Sequence, residues 1–122
     1  MLRVDAPHFV DFGEIYFSLI KSGMVKGWKR HRRMTLNLAV PVGRVRFVFF
    51  DGREESPTYG ETQEVILGHD LYQLVVVPPG IWCAFQGLDP EISLVANCAS
   101  LPHDPDEADN RTLSDPPTIV TW

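Results

Sequence analysis

Apolar and polar positions alternate along most of this chain, and the alternation predicts strands with no convincing helix. Side chains of an extended segment point to opposite faces in turn. Glu14 to Lys21 (EIYFSLIK) is aromatic and β-branched enough for a strand, and Ser22-Gly23 supplies a turn after it. The next predicted strand carries a basic cluster. Thr35 to Val40 sets Thr35, Asn37 and Ala39 against Leu36, Leu38 and Val40, and Arg44 to Phe50 places Val45, Phe47 and Phe49 on one face. The Pro41-Val42-Gly43 link between them predicts a hairpin. Asp51-Gly52 closes that strand, and a loop follows at Ser56-Pro57-Thr58-Tyr59-Gly60. Further strands are expected at Thr62 to Leu67, Leu71 to Val77, Trp82 to Leu88 and Ser93 to Ala99, with a sharp break at Pro78-Pro79-Gly80. From Leu101 the chain turns acidic and proline-rich, which predicts a solvated surface loop, while Pro117 to Trp122 should pack back on the body. Eight or nine short strands with turn signals between them indicate an antiparallel sandwich or barrel, and 122 residues suit one domain spanning the whole chain.

Composition narrows the function. With 44% hydrophobic and 22% charged residues the chain reads as globular. No apolar run approaches the roughly 18 residues that would span a bilayer, so no membrane association is expected. The opening MLRVDAPHFVDFGE has neither the basic flank nor the unbroken apolar stretch of a signal peptide, so the cytoplasm is the expected compartment. Cys83 and Cys98 are too few for a disulfide framework and are expected to be reduced. A net charge of -5 argues against nucleic-acid binding.

Within that acidic chain, Lys26, Lys29, Arg30, Arg32 and Arg33 supply five of the 11 Lys and Arg residues, with His31 among them. Strict alternation would put Lys29, His31 and Arg33 on one face and Trp28, Arg30 and Arg32 on the other. Two uses fit such a stretch: a pocket for a small anionic, phosphorylated molecule, or a solvated edge strand blunted by charge. His31 lies beside cations, which favours the neutral imidazole that can take a proton.

The order of these pieces resembles the cupin superfamily, and within it the dTDP-4-dehydrorhamnose 3,5-epimerase family and the related dTDP-4-keto-6-deoxyhexose 3,4-ketoisomerases. The resemblance rests on Val25-Lys26-Gly27-Trp28, on Val42-Gly43 before a strand ending in Asp51, and on Arg53 through Ser56-Pro57-Thr58-Tyr59-Gly60. It continues at Pro78-Pro79-Gly80 with Phe85 after it, and at Asp115-Pro116 before Ile119 and Trp122. It implies an all-β, cupin-type jelly roll or antiparallel β-barrel, and a homodimer. It also implies binding of a nucleotide-linked ketosugar, in carbohydrate biosynthesis of the dTDP-rhamnose kind. No metal and no organic cofactor is implied.

In epimerases of this family a His held by an Asp removes the proton beside the ketone, and a Tyr is the opposing acid. By position that His falls on Lys29, the Asp on Asp115 and the Tyr on or near Asn97. The ketoisomerases carry a second His, which aligns with His31. The family's pocket Lys becomes Leu36, and the last residue of its Pro-x-Gly-Phe-Ala-His becomes Cys83. His31, Lys29 and Asp115 are therefore the expected catalytic residues, and Lys26, Arg33, Asn37, Cys83 and Asn97 the expected substrate-binding ones. Asp115 also reads as an ordinary turn residue. Three functions are in play: a cofactor-independent epimerase or isomerase, a non-catalytic cupin binding an anionic sugar or nucleotide, and a metal-dependent dioxygenase, for which most ligands are missing.

Overall fold

The computed structural model describes residues 1–122. Its strands are β1 (Glu14–Ile20), β2 (Val25–His31), β3 (Leu36–Val42), β4 (Arg44–Asp51) and β5 (Thr62–Gly68). They continue with β6 (Val75–Val77), β7 (Ile81–Gly87), β8 (Ser93–Ala99) and β9 (Ala108–Asn110). A four-stranded sheet has the order β1-β8-β3-β6 and a five-stranded sheet the order β5-β4-β7-β2-β9. Every neighbouring pair is antiparallel. Consecutive strands mostly alternate between the two sheets, which is the wiring of a jelly roll.

The inner faces enclose the main core, where Leu36, Leu38 and Val40 of β3 join Val45, Phe47 and Phe49 of β4. A smaller core lies on the outer face of the five-stranded sheet, where Val120 and Trp122 cover Trp28, Val48, Trp82 and Ala84. The Trp122 ring stands 6.3 Å from that of Trp28, and the Arg46 guanidinium lies 5.0 Å over Trp122. Trp122 is only partly buried there, so its gross gain stays below the about 4–6 kcal/mol of a fully buried tryptophan at ~25 cal/mol/Å². That gain holds the C-terminal segment down without a strand.

Three expectations are corrected. First, β3 and β4 are no hairpin: β3 pairs with β6 and β8, and β4 with β5 and β7. Gly43 (φ 84°) turns the chain from one sheet to the other, and Ser93 stands where a Cβ on Gly43 would go. The Ser93 hydroxyl accepts from the Arg44 N–H and donates to the Arg44 carbonyl at 3.1 Å each, which leaves the corner satisfied. Second, the strand expected from Leu71 shrinks to Val75–Val77, because Leu71 bridges back to Gly68 and closes a turn after β5. Third, the acidic stretch is not simply solvated. Asp104 caps a 3-10 turn over Pro105–Glu107, and the chain enters β9 alongside β2. So β2 lies between β7 and β9 and is not an edge.

Candidate active site

The site begins with an irregularity in β2. Lys26 pairs with Phe85 and Lys29 with Cys83, so Gly27 and Trp28 together oppose Ala84 alone. Such a bulge re-aims the side chains beyond it. Lys26 and Lys29, three positions apart, would otherwise face opposite ways; with the bulge both line the interior, and Trp28 joins the outer core. Gly27 is needed here because its φ is 142° and a Cβ would come within 2.5 Å of the Ala84 Cβ.

Between the sheets lies a cavity of about 320 Å³, at the small end of ligand pockets. Lys29, His31 and Cys83 line it from the five-stranded sheet, and Tyr16, Leu38 and Asn97 from the four-stranded one. The His31 Nδ1 is hydrogen-bonded to Glu107 Oε1, and Glu107 Oε2 accepts from the backbone N–H of Arg33 (3.1 Å) and Met34 (3.2 Å). Glu107 is 3% exposed. Burial pushes its carboxyl up, but the His31 ring and those backbone donors outweigh burial and hold it below the usual value. An ionised Glu107 requires a hydrogen on Nδ1, which leaves the Nε2 lone pair for the cavity in the neutral ring. The direct partner of His31 is thus a carboxylate, not the neighbouring cations.

On the facing wall, Asn97 and Tyr16 are cross-strand partners, and Asn97 Nδ2 donates 2.9 Å to the Tyr16 hydroxyl oxygen. Burial raises the Tyr16 phenol above its ordinary value, against the opposing effect of that bond. Burial also pushes the Cys83 thiol up to about 12, so it stays protonated at neutral pH.

The basic cluster divides by function. Arg30 and Arg32 share Asp109 at 2.8 and 2.5 Å, holding its carboxyl down at about 2, with the Arg32 hydrogen bond the largest cause. Lys26 Nζ donates 2.6 Å to the Leu19 carbonyl. Lys29 alone of the five lines the cavity with its ammonium free of a protein anion or carbonyl.

Three expected site residues lie elsewhere. Arg33 lies two residues beyond the end of β2, where alternation no longer applies, and its guanidinium pairs with Asp104 at 3.3 Å. Asn37 points away from the cavity-facing Leu36 and Leu38, and its Nδ2 donates 2.9 Å to the Cys98 carbonyl. Asp115 has a side chain 73% exposed and accepts from Arg111 at 3.0 Å, outside the cavity lining. Reading the sequence missed Glu107, hidden in a charged run, and Tyr16, one aromatic among several in a strand. No three His, Cys, Asp or Glu side chains gather as metal ligands. A second recess of about 330 Å³ near the β5 and β6 edges is lined by no His, Cys, Tyr or Lys. The buried carboxylate there, Asp51, is already engaged by Arg53, Ser56 and Thr58.

Comparison with known proteins agrees with this architecture. A dTDP sugar isomerase from Desulfovibrio desulfuricans superposes with a TM-score of 0.89 at 47% identity, over 92% of this chain and 72% of that one. An epimerase from Mycobacterium tuberculosis superposes with a TM-score of 0.83 over 92% of this chain and 57% of that one, and at 24% identity the likeness is one of fold. A probable low-salt glycan biosynthesis epimerase of Haloferax volcanii is 30% identical over 99 residues, 80% of this chain, which spans 64% of that relative's length. A spore coat polysaccharide biosynthesis protein of Bacillus subtilis is 25% identical over 113 residues, 93% of this chain and 75% of its own. The family profile described as dTDP-4-dehydrorhamnose 3,5-epimerase matches residues 6–122. With its jelly roll and interior cavity, the chain belongs to the dTDP-4-dehydrorhamnose 3,5-epimerase family.

Proposed function

We propose that the protein is a cofactor-independent epimerase or isomerase of a nucleotide-linked 4-ketosugar, in which His31 is the base. The observation that carries this reading is the bond from Glu107 to His31 Nδ1, which presents Nε2 to a sugar-sized cavity. The hydrogen beside a ketone is weakly acidic, and a fixed imidazole lone pair can remove it once the enolate oxygen meets a cation or donor. Lys29 is the cation at hand and also the candidate partner for the diphosphate; Lys26 lines the same wall. Glu107 takes the orienting role that the resemblance assigns to Asp115.

Solvent deuterium incorporation into a panel of dTDP-4-keto-6-deoxyhexoses, followed by NMR, tests the reading. Exchange beside the ketone that His31→Ala abolishes without loss of binding supports it. Tight binding with no exchange assigns the chain instead to the non-catalytic sugar or nucleotide binders.

We further propose a homodimer in the cytoplasm. Ile15, Phe17 and Leu19 of edge strand β1 are 48%, 60% and 59% exposed in one row, on the side of the sheet away from Tyr16, and a second copy would cover them. Both cysteines are free, which suits a reducing compartment. A sedimentation mass of one chain at micromolar concentration would refute the dimer.

A further inference from the structure

We infer that Asn110 is a specificity-determining residue, which together with Lys29 holds the phosphate bonded directly to the sugar, at the rim of the cavity. The inference rests on the reading of the cavity as a nucleotide-sugar site, and it starts from the register of β9 on β2. His31 stands opposite Ala108, Arg30 opposite Asp109 and Lys29 opposite Asn110. Cross-strand partners share a face of the sheet. Asp109 therefore goes with Arg30 to the outer face, where the Arg30 guanidinium lies 4.7 Å over Trp82, and Asn110 goes with Lys29 to the cavity that both line. The polar neighbours of Asn110 are already engaged: Asp109 holds Arg30 and Arg32, and Arg111 holds Asp115. The Asn110 side-chain amide bonds to no other protein group, so its two N–H donors are left for a guest.

Depth assigns the partner. Lys29 and Asn110 are exposed residues at the rim. The His31 side chain, one same-face step along β2 and on the order of 7 Å away, is only 12% exposed. The oxygen of a 4-ketone is attached beside the carbons that His31 can deprotonate, so it lies at the depth of His31. The phosphate is joined to C1, across the ring from C4, and therefore lies toward the rim. Ala108 carries only a methyl beside His31, which leaves width for the ring. A phosphate also gains from staying at the rim, because burying its charge fully costs more than a few contacts return. The pair suits that group: the ammonium supplies charge, and the amide adds donors without a second charge. The adjacent carboxylate, Asp109, is turned to the other face and neutralised there, so it does not repel an anion at the rim.

The test compares two probes by titration calorimetry: dTDP, which has the phosphate that carries the sugar, and dTMP, which lacks it. Asn110→Ala is expected to weaken dTDP about fivefold to tenfold and dTMP less than twofold, with the urea midpoint unchanged because the amide has no partner in the protein. Asn110→Asp, which pairs Lys29 with a carboxylate and repels the phosphate, should weaken dTDP at least 100-fold, and more at low salt. In Lys29→Ala the further change Asn110→Ala should cost less than it does alone, since the two side chains serve one phosphate. Equal weakening of dTDP and dTMP overturns the assignment, because it gives Asn110 a part in the shape of the site. Unchanged dTDP binding with slower hydrogen exchange beside the ketone also overturns it, because it makes the enolate oxygen the partner of the amide. If the unmodified protein binds dTDP but exchanges no hydrogen, the reading of His31 as base fails while the dTDP and dTMP comparison still decides this inference. If it binds no dTDP, both fail.

Discussion

Glu107 reaches His31 across 76 residues of sequence, and the same carboxylate also takes the backbone N–H groups of Arg33 and Met34 just after it. One side chain therefore fixes both the imidazole and the turn that leads out of β2. Replacing Glu107 should disturb chemistry and fold to different degrees, depending on what replaces it.

Glu107→Gln keeps the shape and an acceptor oxygen but removes the charge, so it should lower turnover about 10–100-fold while shifting substrate affinity little. Glu107→Ala should in addition destabilise the fold by about 2–4 kcal/mol, since it strips the Arg33 and Met34 N–H groups of their acceptor. Steady-state kinetics with urea unfolding on both variants checks this; equal damage by the two would reduce Glu107 to a packing role.

Stability should fall in acid. The carboxyls of Asp51, Asp109 and Glu107 all lie below their ordinary values in the folded state. For Asp51 the Arg53 hydrogen bond is the largest cause, while for Glu107 burial opposes the shift. A depressed folded pKa means that the unfolded chain takes up protons first. These groups therefore contribute stability in full above the unfolded carboxylate range and lose it as pH falls toward their folded values, about 2 for Asp109. Urea midpoints should be flat from about pH 6 to 8 and decline below about pH 4.5, with a shallower decline in Glu107→Gln. A midpoint that rose on acidification would contradict the sign.

Cys83 should resist alkylation. A thiol held near 12 by burial carries almost no thiolate at pH 8. Iodoacetamide at that pH should label it at least 100-fold more slowly than an exposed cysteine, and urea should restore the ordinary rate. Fast labelling of Cys83 in the folded protein, seen by peptide mass spectrometry, would show that the inner wall is wetter than described.

Lys29→Ala should weaken binding of a nucleoside diphosphate sugar about tenfold or more, as befits a charge-assisted contact of roughly 1.5–3 kcal/mol. The corresponding Arg33→Ala change should do much less, because Arg33 already serves Asp104. Titration calorimetry at two salt concentrations separates the outcomes: the salt dependence of binding should shrink for Lys29→Ala alone.

Much of the fold was legible because alternation is a local property. The Ser93–Ala99 strand is observed over its expected span, and Glu14–Ile20 and Thr62–Gly68 differ from expectation by one residue at one end. What stayed hidden depended on distant partners. A Pro-Val-Gly turn reads the same whether the strands beside it pair or part, and only the close approach of Ser93 to Gly43 decides that they part. The run after Leu101 reads as solvated because its counter-charges, His31, Arg30 and Arg32, lie more than 70 residues away. The candidate site was half legible for the same reason: Lys29, His31, Cys83 and Asn97 come together in the cavity, Arg33, Asn37 and Asp115 do not, and Glu107 and Tyr16 take their meaning from neighbours in space.

The bulge at Gly27 and Trp28 makes the interior wall sensitive to spacing and tolerant of identity. Positions 26, 29 and 31 stay aimed inward whichever side chains they carry, so the chemistry of the wall can be rewritten one residue at a time on an unchanged frame. Deleting Gly27 or Trp28 would do the opposite: the wall residues would all survive, but either Lys26 or the Lys29 and His31 pair would be turned to the outer face of the sheet, where the second core lies.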